Sequence, residues 1–216
     1  VPTSSSIPPP RAPRRDAAEN REAILIAAAA ALNEDIDASL ETIAARAGLS
    51  RRAIYGHFAT RDDLLVDVFT RGAARLAALL EPVSHPDARV EIALYGATLW
   101  DEVEHVRVNA QLAVRGPHRD RVGEALEPAR ERLRRTVARG IAQEQLRTDI
   151  DLDTVARLIE NAAVAVLDEA TRTGMSREAG HRLVMLAGLS AAGLSWREAD
   201  TLIAETPELA LQEATA

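Results

Sequence analysis

Cysteine and lysine are both absent from this chain of 216 residues, and aromatic residues make up only 3% of it. Without cysteine there can be no disulfide, no thiol nucleophile and no cysteine-held zinc or iron–sulfur site. That suits a reducing cytoplasm, the location expected here. With so few aromatics the core must be built from Ala, Leu, Val and Ile, and a hydrophobic content of 47% is enough to build one. Long apolar runs are missing too. AILIAAAAAL (23–32) falls well short of the roughly 18–20 residues that span a bilayer as a helix. Arg14 and Arg15 precede it in the manner of a twin-arginine export signal. Asp16, Glu19 and Glu22 interrupt that approach, however, and an amphipathic helix fits better. A soluble protein with no membrane partner is expected.

Signs of catalysis are equally scarce. His57, His85, His105, His118 and His181 show no metal-ligand spacing such as H-x-x-x-H. There is no glycine loop of the kind that cradles phosphate and no G-x-S-x-G. The many carboxylates fall on helix surfaces. The expectation is a protein that is not an enzyme and carries no metal and no cofactor.

What is present reads as helix throughout. No segment of useful length alternates with period two, and Ala, Leu, Arg and Glu dominate. The spacing predicts an all-α chain of about nine or ten helices, near 17–33, 39–47, 51–58, 61–81, 87–103, 104–115, 119–146, 152–173, 177–194 and 196–205. Ser39, Ser50 and Thr60 are candidate N-caps. Gly48 stands where a helix would stop with a left-handed residue. Ser195 and Glu198 have the spacing of a capping box. Residues 1–15 (VPTSSSIPPPRAPRR) are too poor in apolar groups to order themselves and read as a disordered arm carrying Arg11, Arg14 and Arg15.

Residues 39–58 form a unit: a short helix, a turn centred on Gly48, and a second short helix. This is the helix-turn-helix arrangement, whose second helix lies in the major groove of DNA. At about 100° per residue, Ile54 and Phe58 share a face and should pack on Ile43, Ala44 and Ala47. Arg52 and Gly56 fall opposite, with Arg51 and Tyr55 on one flank and Ala53 and His57 on the other. An outward arginine can make a bidentate contact to guanine, beside a glycine that permits close approach. The flanking groups, and Arg61 beyond them, can reach phosphates. The candidate DNA-binding residues are Ser39, Thr42, Ser50, Arg51, Arg52, Ala53, Tyr55, His57 and Arg61. Whether Arg51 or Arg52 reads the base stays open.

The stretch IAARAGLSRRAIYGHFATRDDLL (43–65) resembles the DNA-binding signature of the tetracycline-repressor (TetR) family. It departs from the usual pattern in having Arg61 where lysine is common and Ala59 where glycine or proline is frequent. It also lacks a glycine in NEDIDASL, between the first two helices. The resemblance implies a homodimeric transcriptional regulator, usually a repressor, bound to a double-stranded operator and released by a small-molecule effector. The implied organisation is an arm over 1–15, a three-helix DNA-binding domain over 16–61, a connecting helix over 62–81, and an effector-binding and dimerisation domain over 82–216. An activator, an effector-independent repressor, and a helical small-molecule-binding protein without DNA binding are the competing readings. The intact 50–61 stretch favours DNA binding over the last.

The formal charge of -7 does not oppose this reading. Residues 1–75 hold ten arginines and ten acids, whereas 76–216 hold sixteen arginines and 23 acids, so the acidity resides in the C-terminal part. Residues 50–61 contain three arginines and no acid. In the C-terminal part, 152–173 carries a wide apolar stripe and 183–194 is apolar nearly all round, which demands burial on more than one side. Leu158, Ala162, Val166, Leu183, Leu186 and Leu189 are the candidate dimer-interface residues. Tyr95, Trp100, Asn109, Gln111 and Arg115 are the candidate effector contacts, with Thr98, His105 and His118 as further polar groups nearby.

Overall fold

A computed structural model describes residues 13–211. Among them are ten α-helices and no strand: α1 (Pro13–Glu34), α2 (Leu40–Arg46), α3 (Arg51–His57), α4 (Arg61–Leu80), α5 (Ala88–Val103), α6 (Arg107–Arg115), α7 (Arg119–Ala142), α8 (Leu152–Thr173), α9 (Arg177–Ala191) and α10 (Trp196–Glu205). The chain divides between Val68 and Phe69 into two compact units.

The first unit is held by Ile24, Ala28 and Leu32 of α1, Ile43 and Ala44 of α2, Ile54 of α3, and Phe58 and Leu64, all essentially inaccessible to solvent. Local signals place its elements. The Ser39 hydroxyl accepts the Thr42 backbone N–H (3.1 Å) and the Ser50 hydroxyl accepts that of Ala53 (3.2 Å), each satisfying a donor that the helix start leaves open. Thr60 and Asp63 bond each other's backbone N–H reciprocally at the start of α4. Gly48 sits at φ +70°, the left-handed conformation that ends α2 and turns the chain toward α3.

The missing glycine between α1 and α2 has a structural answer. Asp35 makes an Asx turn, its carboxylate accepting the Asp37 N–H at 3.0 Å. Arg61 donates from Nε to the Ala38 carbonyl at 3.0 Å and from its terminal nitrogen to that of Ile36. Arg46 clasps Glu34 through two bonds of 2.7 and 2.6 Å. No residue of this connection needs a positive φ.

The second unit packs its helices around Trp100, Val155, Val184, Met185 and Leu189. Here α5 packs on α9 and α9 on α8 most extensively. Gly180 makes this possible: a β-carbon there would lie 1.9 Å from the Trp100 ring. The Trp100 indole N–H donates to the Arg177 carbonyl at 2.9 Å, so the ring is buried with its polar atom satisfied.

Three boundaries differ from expectation. Helix α1 starts at Pro13, not near 17, so the last three residues of the expected arm are helical; a proline in the first turn loses no helical bond. Residues 1–12 of that arm lie outside the described residues. The expected 104–115 helix is a 3-10 turn (Glu104–Val106) followed by α6. Arg107 fastens this break by donating to the Glu104 carbonyl at 2.8 Å and to those of Ala170 and Met175 at 3.0 Å. Helix α7 stops at Ala142, not near 146, and Glu144 takes a left-handed φ of 55°.

Candidate nucleic-acid interface

Helix α3 is short, capped and anchored on one side only. Ile54 and the following Phe58 are buried, while Arg51, Arg52, Tyr55 and Gly56 are exposed and Ala53 and His57 half-buried. This is the sorting that the spacing predicts, and Ile54 and Phe58 do pack in the same cluster as Ile43 and Ala44.

The two arginines differ sharply. The Arg51 Nε lies 3.1 Å from Glu41 of α2, and its guanidinium stands over the Tyr55 ring at 5.5 Å. The Tyr55 hydroxyl donates to the same Glu41 carboxylate at 3.1 Å. Hydrogen bonds from its own backbone N–H and then from Tyr55 hold the Glu41 pKa below the usual carboxylate value, so this anchor stays charged at neutral pH. Arg52 has no carboxylate or carbonyl partner among the described residues. It projects beside Gly56, where a β-carbon would meet open space. The outermost surface of α3 is therefore an unpartnered guanidinium next to bare backbone, a shape that can enter a groove and present a planar donor fork.

Two expected contacts are placed otherwise. Arg61, read as a phosphate contact, is half-buried with its guanidinium donating to the Ile36 and Ala38 carbonyls. Its rigid fork suits two acceptors at once, so it locks the connection between α1 and α2. Tyr55 is tied to Glu41, so reaching a phosphate requires breaking that bond. The Ser39, Thr42 and Ser50 hydroxyls sit at the helix starts, with Ser39 and Thr42 also bonded to each other at 2.9 Å.

The candidate effector contacts do not converge on one space. Trp100 is fully enclosed and serves the core, because Gly180 lets α9 close over it. Asn109 is buried in α6. Gln111 and Arg115 both hold Asp168 of α8, at 3.0 and 2.5 Å. Tyr95 alone borders a cleft of about 190 Å³, in company with Glu91, Ser84 and three arginines of α7. Those arginines, at 132, 135 and 139, share one helical face at i, i+3, i+7 spacing, a signal legible in the sequence but masked by the abundance of arginine.

The candidate interface residues also separate. Val166 and Leu189 are buried in their own unit's core, since α8 and α9 turn their most apolar sides to each other and to α5. They are corrected to core positions. Leu158 is 40% exposed, and Ala162, Leu183 and Leu186 are half-buried.

Residues 24–68 match the model of a family described as bacterial regulatory proteins, tetR family. No curated protein matches the chain in sequence. Among solved structures the chain is similar to the transcriptional regulator FadR from Bacillus subtilis in complex with stearoyl-CoA, with a TM-score of 0.70 and 16% identity, over 80% of this chain and 97% of that one. It is similar to SmeT, the repressor of the Stenotrophomonas maltophilia multidrug efflux pump SmeDEF, with a TM-score of 0.64 and 26% identity, over 80% and 90%. It is also similar to RolR in complex with resorcinol, with a TM-score of 0.65 and 17% identity, over 91% and 99%.

Proposed function

The chain belongs to the tetR family of transcriptional regulators, and from that premise we propose that it is a homodimeric repressor, freed from a palindromic operator by a small molecule. One observation carries the DNA contact: Arg52 stands unpartnered beside Gly56 on the outer face of a capped and anchored α3. In the proposed complex Arg52 reads a base edge, and Arg51, Tyr55 and the Ser39 and Thr42 hydroxyls face the backbone. Glu41 holds Arg51 and Tyr55 until phosphates compete for them. Gel-shift titration with the protein's own upstream DNA at two salt concentrations tests this. The parent should bind with a steep salt dependence, and Arg52→Ala should lose its preference for that fragment over random DNA. Failure of the parent to prefer any genomic fragment would overturn the reading.

Dimerisation is supported by the solvent-facing residue Leu158 of α8, together with the half-buried Ala162 and, on α9, Leu183 and Leu186. A two-fold axis through such a face makes the contact self-complementary and matches two half-sites. Release by an effector is supported by the relatives seen with stearoyl-CoA and resorcinol. The effector would bind the second unit and shift the population away from the DNA-competent state. Reciprocity then requires operator DNA to weaken effector binding by the same factor.

A further inference from the structure

The cleft bordered by Tyr95 differs from the rest of the second unit in its charge. Two other arginines of α7 are neutralised: Arg130 pairs with Glu160 at 2.7 Å, and Arg134 with Glu127 and Glu131 at 2.9 and 3.0 Å. In the cleft, Arg132, Arg135 and Arg139 meet a single carboxylate, Glu91. Glu91 is already engaged, accepting from Arg139 at 2.6 Å, from the His85 N–H at 2.9 Å, from Tyr95 at 3.3 Å and from Thr136. Burial pushes its pKa up, but the bonds from Thr136, His85 and Arg139 outweigh this, and the net displacement is downward. Glu91 therefore remains an anion and takes no proton from a ligand.

The arginines, by contrast, are left with unmet donors. Arg132 reaches only the Val83 carbonyl, at 3.4 Å, and Arg135 has no ion-pair partner among the described residues. The Nε atoms of both Arg132 and Arg139 are buried without an acceptor. A buried donor left unsatisfied is costly, and it is satisfied most strongly by an ionised oxygen. Three guanidinium groups against one carboxylate leave two positive charges uncancelled. Ser84 adds a hydroxyl on the rim. At about 190 Å³ the space is smaller than the roughly 300 Å³ at which pockets for drug-sized ligands begin, so it takes a head group and not a whole large molecule.

We propose that the cleft formed by Ser84, Tyr95, Arg132, Arg135 and Arg139 binds a phosphate dianion, either free or as the terminal group of an organic monoester. This deepens the effector reading by naming the ligand's charged group, and it rests on that reading only for the link to DNA. Calorimetric titration of the full chain in low-salt, phosphate-free buffer provides the test, with inorganic phosphate, phenyl phosphate and benzoate as probes. One or both phosphate probes should bind saturably at one per chain, with benzoate at least about tenfold weaker. Tighter binding of phenyl phosphate identifies a monoester, and equal or tighter binding of inorganic phosphate identifies the free ion. Arg132→Gln with Arg135→Gln should weaken binding at least about tenfold. If circular dichroism shows that the pair does not fold, Arg135→Gln alone, at an exposed position, should still weaken it measurably. Absence of saturable binding by both phosphate probes overturns the proposal. So does binding that survives the cleft variants and disappears in Arg52→Ala, which would put the anion on the DNA-facing helix. Phosphate binding that leaves operator affinity unchanged would sink the effector reading while leaving the anion site standing.

Discussion

At the scale of single residues, neighbouring arginines acquire different chemistry from what surrounds them. Arg51 is drawn to Glu41 and lies over Tyr55, while Arg52 has no such partner. Sequence spacing alone puts both near the outer surface and leaves their roles open. The ion pair on α2 separates them, because Glu41 is ten residues away and its reach is a property of the fold. Arg51→Ala should therefore weaken binding to all sequences alike and reduce the salt slope by about one, whereas Arg52→Ala should relax preference by about 1–3 kcal/mol at one base position. Fluorescence anisotropy across a salt series, with matched and mismatched operators, separates the two outcomes. A reversed assignment would show that the free-state pairing does not persist on DNA. Gly56 makes a complementary prediction. A β-carbon there meets nothing in the free protein, and alanine is the better helix former by about 0.5–1 kcal/mol. Gly56→Ala should leave the melting temperature unchanged or raised while lowering operator affinity. Retained affinity would mean that no DNA atom approaches this backbone.

At the scale of elements, the helices of the first unit were readable because their ends carry chemical marks. Ser39, Ser50 and the Thr60–Asp63 pair act as caps at the expected positions, and Ser195 with Glu198 closes a full capping box at α10. Where no mark exists, spacing misplaces the boundary: it predicts a helix running past Ala142, where α7 stops, and the break at Glu104–Val106 is fastened by Arg107 through carbonyls distant in sequence. Apolar periodicity also cannot say which neighbour a face meets. That is why Val166 and Leu189, placed at the partner, lie in their own core, and why Trp100 packs on Gly180. The latter contact is unforgiving. Gly180→Ala sets a methyl group 1.9 Å from the indole and should destabilise by about 3 kcal/mol or more. Urea unfolding at fixed protein concentration measures it. Combined with Trp100→Leu, the loss should fall well short of the sum of the two single changes, because both act on one contact. Additive losses would mean that α5 and α9 are not packed this way. The outward face of α8 predicts differently. Leu158→Arg removes no core contact and should leave the helical content intact while shifting the mass in solution from two chains toward one. A parent that is already monomeric at micromolar concentration would remove the dimer proposal.

At the scale of the whole molecule, the net charge of -7 coexists with a DNA-facing surface because the acids are concentrated after residue 76. The same bookkeeping of protons predicts how stability responds to acid. His181 is 4% exposed in α9, and burial pushes its pKa below the ordinary 6.5, with the Asp101 charge pulling it up and Arg177 pushing it further down. In the unfolded chain the imidazole returns to its ordinary value and takes a proton first as the pH falls. Between that value and the lower folded one, the unfolded state holds the extra proton, so stability declines as pH falls through 6.5. The slope from this one group is at most about 1.4 kcal/mol per pH unit. The carboxylates act in a separate window. Asp87, Glu91 and Asp151 have folded pKa values depressed below 3.8 or 4.5, so their contribution is intact at mild acidity and is lost only as pH drops below those ordinary values. Unfolding by urea between pH 8 and about pH 5 should thus reveal a gradual loss that His181→Gln, with no proton to take up, flattens relative to the parent. An identical pH profile in the variant would mean that His181 is as accessible to protons in the folded protein as in the unfolded chain, and that α9 opens locally at this turn.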